Sequence, residues 1–201
     1  MSHLTGKKVA FVAVDGFEDS ELTSPWEAVT EHGAVAELVS TEAGTITAKN
    51  GHEATPDVTT SDADPASYDA LVLPGGVVNS DTVRTDEKAV TFVRQFFADG
   101  KPVGVICHGA WILADADVLS GRTLTSYPSL RTDLVNAGAT WVDEEVVVDD
   151  FTKVFLSDAE LAAFTRGRRL LVARRVEFGG FVVACRGLSD DAFLERLGRA
   201  A

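Results

Sequence analysis

This chain is poor in cysteine, histidine and cationic side chains. Only two cysteines, Cys107 and Cys185, occur among 201 residues. Two thiols make no disulfide framework, so the fold has to rest on a packed core, and a reducing cytoplasm is the expected compartment. The four histidines, His3, His32, His52 and His108, are scattered, and no Cys-x-x-Cys or His-x-x-x-His spacing occurs. That pattern calls for no metal. No phosphate loop of the Walker or Rossmann kind is present, so no cofactor is expected. No apolar run approaches the ~18 residues of a membrane helix. The opening residues, Met1 to Lys8, do not read as a signal peptide. Lys and Arg number 18 against 31 Asp and Glu, a formal net charge of -13. Such a surface repels nucleic acid and anionic membrane, and neither is expected as a partner.

The shortage of cations is uneven. Residues 1–150 carry 9 cationic and 25 acidic side chains, whereas residues 151–201 carry 9 and 6. The C-terminal quarter is thus a different surface, suited to packing on the acidic body or on another subunit.

What the chain does have is short apolar runs alternating with helix-period segments, the pattern of an α/β domain with a mainly parallel sheet. Buried strands are expected at 7–14, 34–41, 70–73 and 103–106, and a late strand at 146–148. Helices are expected at 21–32, with Pro25 early in it, at 87–98 and at 129–137, each stopped by a glycine. Residues 45–56, around Asn50-Gly51, read as a hairpin-like excursion. Further along, a strand at 153–156, a helix at 159–171, a hairpin within 172–185 and a short terminal helix opening at Ser189 are expected. The expected organisation is one domain over 1–171 and a basic extension over 172–201, packed on that domain or at an interface.

The most informative stretch is Val103 to Ala110, an apolar run ending in Cys107-His108-Gly109 and passing at once into helix-like sequence. A cysteine where a buried strand turns into a helix projects from the sheet edge, and the amides of the helix start favour its thiolate. A small buried core thiol is the alternative. Gly104, His108 and Gly109 suit a strained turn better, the logic of a nucleophile elbow. His108 adjoins the thiol and is the best candidate for a base. No histidine follows it, so hydrolase arrangements that need a downstream histidine are excluded within one subunit. The loop Asp15 to Leu22 leaves the same carboxyl edge of the sheet. Glu18 in that loop is a candidate carboxyl partner for the thiol, one expected to hold its proton. Spacing does not separate it from Asp19 or Glu21. Gly75 and Gly76, in Pro74-Gly75-Gly76 after the third core strand, can bring backbone amides to a substrate oxygen. Asp81 follows as an acid able to orient His108, and spacing does not select it over Asp86.

Five ordered motifs together resemble the ThiJ/PfpI superfamily. They are Asp15-Gly16-Phe17-Glu18-Asp19 with Glu21-Leu22 and Pro25, Leu71 to Gly76, Ile106-Cys107-His108-Gly109, Thr125-Ser126-Tyr127-Pro128, and Asn136 to Ala139 with Trp141-Val142-Asp143. The nearest resemblance is to the PfpI-like intracellular protease and general stress protein branch. It runs from about Lys7 to Asp149 and persists in Leu161 to Arg166. It implies a flavodoxin-like α/β three-layer sandwich, a mainly parallel central sheet with helices on both faces. It implies Cys107 as nucleophile, Glu18 as its protonated carboxyl partner, and His108 beside the thiol. It also implies homodimers or homohexamers, with an acid from a neighbouring subunit, Asp81, completing a site near the interface. The activities it implies are peptidase, glyoxalase and protein deglycase, on a small-molecule carbonyl or a protein or peptide substrate. Redox sensing by an oxidised cysteine is the alternative. The chain departs from the family at Thr152 to Ser157. From about Val172 it extends past the family's usual end, either as an interface cover or through an altered reading frame.

Overall fold

Alternation along the first strand feeds two separate cores. In β1 (Lys8–Val12), Val9 and Phe11 enter one apolar cluster while Ala10 and Val12 enter the other. Successive side chains of a strand point to opposite faces, so a strand that is apolar throughout has to be covered on both. The first cover is α1 (Asp19–Glu31), whose Leu22 and Val29 are buried with Phe11 and with Leu38 of β2 (Val35–Ser40). The computed structural model describes residues 4–144, 146–150 and 180–184. The strand expected at 153–156, the helix at 159–171 and the terminal helix from Ser189 lie outside these residues.

After β2, β3 (Ile46–Thr47) and β4 (Glu53–Ala54) form the antiparallel hairpin expected around Asn50-Gly51. A two-residue strand, β5 (Val58–Thr59), lies parallel to the outer side of β2. The chain then crosses to the other side of β1 and enters β6 (Ala70–Leu73), which sends Leu71 and Leu73 into one core and Val72 into the other. Two helices follow, α2 (Val77–Val83) and α3 (Glu87–Ala98). Asp86 caps α3 by accepting the Ala89 amide at 2.6 Å, and the helix lays Phe92, Val93 and Phe96 onto the second core. Next come β7 (Val103–Ile106), a 3-10 turn over Cys107–Trp111, and α4 (Ile112–Asp115). β8 (Thr123–Leu124) pairs with β9 (Thr140–Trp141), and α5 (Arg131–Asn136) lies between them in sequence. The described chain ends with β10 (Val146–Asp150) and β11 (Gly180–Ala184).

The main sheet has the order β10-β11-β7-β6-β1-β2-β5. All its neighbours are parallel except β10 and β11. This is a mainly parallel central sheet with helices around it, consistent with a flavodoxin-like sandwich. The sheet reverses direction of growth between β1 and β6, so the loops leaving their carboxyl ends diverge and open a crevice there.

Two details differ from expectation. The first helix starts at Asp19 rather than at Glu21, while Pro25 lies within it as expected. The seven-residue α2 and the two-residue strands β5, β8 and β9 were not expected, because elements this short carry too few residues to show a period. Of the hairpin expected within 172–185, residues 180–184 form β11, paired with β7 and β10; the rest lies outside the described residues.

Candidate active site

The site is assembled at the carboxyl ends of β1, β6 and β7. Cys107 follows directly on β7 with φ of 58°, one of two non-glycine residues with positive φ among those described. A side chain in that left-handed region is strained, by roughly 1–3 kcal/mol, and the surrounding packing has to hold it there. Gly109 supplies part of the hold. A Cβ at that position would strike the Leu73 carbonyl oxygen and lie 2.9 Å from the Pro74 oxygen, so only glycine lets the turn seat on the end of β6. Gly75 is equally confined, since its Cβ would fall 2.5 Å from Glu21 Oε2, 2.9 Å from Cys107 Cβ and 2.9 Å from the His108 amide. Gly76, at φ of 92°, begins α2 against the Gly16 carbonyl.

The carboxyl group beside the thiol is Glu21, not Glu18. Glu21 Oε2 accepts the Gly75 amide at 2.7 Å, and the side chain is hydrogen-bonded with Cys107. Burial pushes its pKa up from 4.5 to about 7, and the neighbouring Glu18 charge adds to the rise, against the Gly75 and Cys107 hydrogen bonds. Glu18 precedes the first helical residue, and its carboxylate turns outward to the hairpin. There it receives Lys49 Nζ at 3.1 Å and Asn50 Nδ2 at 3.4 Å. Glu21 stands nearly one turn further on, next to the buried Leu22, and so points along the sheet edge toward the thiol. The signal available in sequence was this helical offset: the inward face runs through Leu22 and Pro25, both buried.

His108 presents Nδ1 to Cys107 Sγ at 3.3 Å and Nε2 to Ser129 Oγ at 3.4 Å. Its ring stacks on Tyr127 with centroids 4.4 Å apart. Burial, and then the Lys49 charge, lower its pKa, so the neutral imidazole prevails near pH 7. Tyr127 also donates its amide to the Cys107 carbonyl at 3.2 Å, tying the Thr125 to Pro128 motif to the nucleophile turn. Tyr127 and Ser129, from one segment, and Lys49, from another, are not legible as site residues in sequence, because both segments are remote along the chain from the nucleophile turn. Asp81 lies on α2 with its side chain 63% exposed, 3.5 Å from Arg84. It makes no hydrogen bond to His108 of its own chain, whose ring partners are Cys107 and Ser129. Asn79 is the buried brace beneath this edge. It accepts the Val14 amide at 2.7 Å and donates to the carbonyls of Pro74 and Gly75 at 3.1 and 3.0 Å.

A strained cysteine at a strand end, a carboxyl hydrogen-bonded to it and a histidine against it, all on a mainly parallel sheet, define a cysteine-centred α/β site. The chain belongs to the DJ-1/PfpI family, whose model matches residues 7–164. It is 49% identical over 142 residues to a deglycase of Pyrococcus horikoshii, covering 71% of this chain and 85% of that protein. YraA of Bacillus subtilis, provisionally named a cysteine protease, is 41% identical over 161 residues, 80% of this chain and 95% of that one. General stress protein 18 of the same organism is 44% identical over 145 residues, 71% of this chain and 84% of that one. Among solved structures, a two-domain protein of Anabaena variabilis with DJ-1/ThiJ/PfpI-like and ferritin-like domains superposes with a TM-score of 0.73 at 27% identity. That match covers 96% of this chain and 50% of the other. DJ-1 of Schizosaccharomyces pombe shares the fold, with a TM-score of 0.66 at 17% identity over 96% of this chain and 97% of that one. The relatives' names place the chain in an enzyme family. Among the described residues no helix is long and apolar enough to cross a membrane.

Proposed function

We propose that the protein is a cytoplasmic stress enzyme in which Cys107 attacks a small reactive carbonyl or a glycation adduct. The observation that carries this reading is the thiol itself, held at φ of 58° between the Glu21 carboxyl and His108 Nδ1. The deglycase name of the Pyrococcus horikoshii relative supports it. With a 2-oxoaldehyde, His108 takes the thiol proton as the Sγ–C bond forms at the aldehyde carbon and the carbonyl π pair moves to oxygen. Glu21 gives that oxygen its proton, and the amides of Gly76 and His108 face the developing charge. His108 passes the thiol's proton to the C2 oxygen, then carries the C1 proton to the C2 carbon while Glu21 takes its own proton back from the C1 oxygen, and a 2-hydroxyacyl thioester results. Water hydrolyses the thioester, releasing a 2-hydroxy acid and restoring the thiol. In an amine adduct of the same aldehyde, the thiolate displaces the amine, which leaves with a proton, and the same course follows. The test is lactate formation from methylglyoxal. Cys107→Ala is expected to lose it by about a hundredfold or more, and equal turnover by the variant would overturn the reading.

The site is further proposed to be completed by a second copy of the chain, in a homodimer or homohexamer. The exposed Asp81 of one subunit would then reach His108 of the next. Oxidation is the second reading, favoured by the partial exposure of Cys107 and its contact with Glu21, which can hydrogen-bond an oxidised sulfur. Two oxygens added at Cys107 by mild peroxide, with no aldehyde turnover, would decide for it.

A further inference from the structure

Glu18 sits in the loop after β1 and takes no part in the chemistry above. Its carboxylate holds Lys49 Nζ at 3.1 Å and Asn50 Nδ2 at 3.4 Å. The turn of the hairpin that bears Lys49 is fastened to the same loop. The Lys49 amide donates to the Phe17 carbonyl at 2.8 Å, and the Asn50 amide donates to Asp19 Oδ2 at 3.0 Å. The Glu18 amide donates to the Gly75 carbonyl at 3.3 Å, and Gly75 packs against Cys107. The ion pair therefore stands at the rim of the catalytic turn. Its lysine side chain is 65% exposed and its glutamate 27%. The Lys49 charge acts on Cys107, Glu21 and His108 alike.

We propose that Lys49 is a specificity-determining residue that receives the carboxylate end of a carbonyl substrate, with Glu18 as its built-in counter-ion until the substrate binds. The assignment of a carbonyl substrate rests on the function proposed above. The placement of the cation does not. A solvent-exposed ion pair is worth little, so an incoming carboxylate can replace Glu18 on Lys49 at small cost. The lysine stem is long and its ammonium rotates freely, which suits capture of an anion whose distance from the reacting carbon varies. A neutral carbonyl gains nothing from this exchange. The site would thus favour aldehydes and adducts that carry a carboxylate, such as the oxo acids and the glycated products of free amino acids.

The experiment compares alkylation of Cys107 by iodoacetate and by iodoacetamide, followed by peptide mass mapping. In each case the thiolate displaces iodide, and the two reagents differ in a carboxylate against a neutral amide. The iodoacetate-to-iodoacetamide rate ratio is expected to fall about three- to tenfold in Lys49→Ala, as for one charge removed at the edge of a partly screened site. It should recover in Lys49→Arg and rise above wild type in Glu18→Gln, where the lysine has lost its competitor. A Lys49→Ala ratio equal to wild type overturns the proposal. A Glu18→Gln ratio no higher than wild type overturns the counter-ion role. Alkylation needs no turnover, so a protein inert toward methylglyoxal would sink the enzymatic reading while leaving this test intact.

Discussion

At the scale of single residues, two side chains carry opposite lessons. Cys107 and His108 are legible in sequence because an apolar strand, a thiol, an imidazole and a glycine are contiguous. The carboxyl partner is not legible, because Glu18 and Glu21 both lie in the motif, and only the rotation of α1 decides which one faces inward. Glu21 also sets a pH dependence. Its folded pKa of about 7 lies above the ordinary 4.5, so the folded protein holds this proton more tightly than the unfolded chain does. The stability tied to that proton is complete below pH 4.5 and is lost as pH rises through 7, about 3 kcal/mol in all. Glu21→Gln removes the dependence. Urea unfolding from pH 4.5 to 8 should show the variant gaining on wild type by about that amount. A constant difference across the range would place the Glu21 proton elsewhere. Gly109 makes a second test. Gly109→Ala drives a methyl into the Leu73 carbonyl and should cost about 3 kcal/mol with loss of the thiol's reactivity. Chemical denaturation and the Cys107 alkylation rate would check both.

At the scale of elements, the strands and long helices follow from pattern, and the short pieces do not. β1, β6 and β7 are apolar runs bounded by turn residues, and α3 shows a clear helical period with an Asp86 cap. α2 spans only seven residues, too few for periodicity, yet it determines where Asp81 and Asn79 stand. Asn79 joins three elements by pairing with the backbone beyond β1 and with the turn after β6. Asn79→Leu strands one amide and leaves two carbonyls with a partner fewer, in a buried place, so a loss of about 3 kcal/mol is expected. For a chain of this size that lowers Tm by roughly 6–12 °C. A Tm within 2 °C of wild type by calorimetry, a shift worth at most about 1 kcal/mol, would mean that the brace is dispensable.

For the whole molecule, the charge is divided along the sequence, an acidic excess in residues 1–150 and a slight basic balance in 151–201. β11, residues 180–184, lies between β7 and β10, beside the nucleophile strand. The proposed subunit crossing of Asp81 has a clean test. Asp81→Asn and Cys107→Ala chains, each inactive alone, should regain about a quarter of wild-type turnover when dissociated and mixed as dimers, since half the dimers would hold one complete site. No recovery on mixing would confine Asp81 to its own subunit. Sequence alone determined the α/β class, the thiol at a strand end and the family, because these rest on contiguous patterns and short-range chemistry. Tertiary structure alone decided that Glu21 rather than Glu18 meets Cys107, that Ser129 and Tyr127 hold His108, and that Lys49 borders the site. Those contacts join residues 19 to 86 positions apart at one sheet edge, and strand order and helix rotation bring them together.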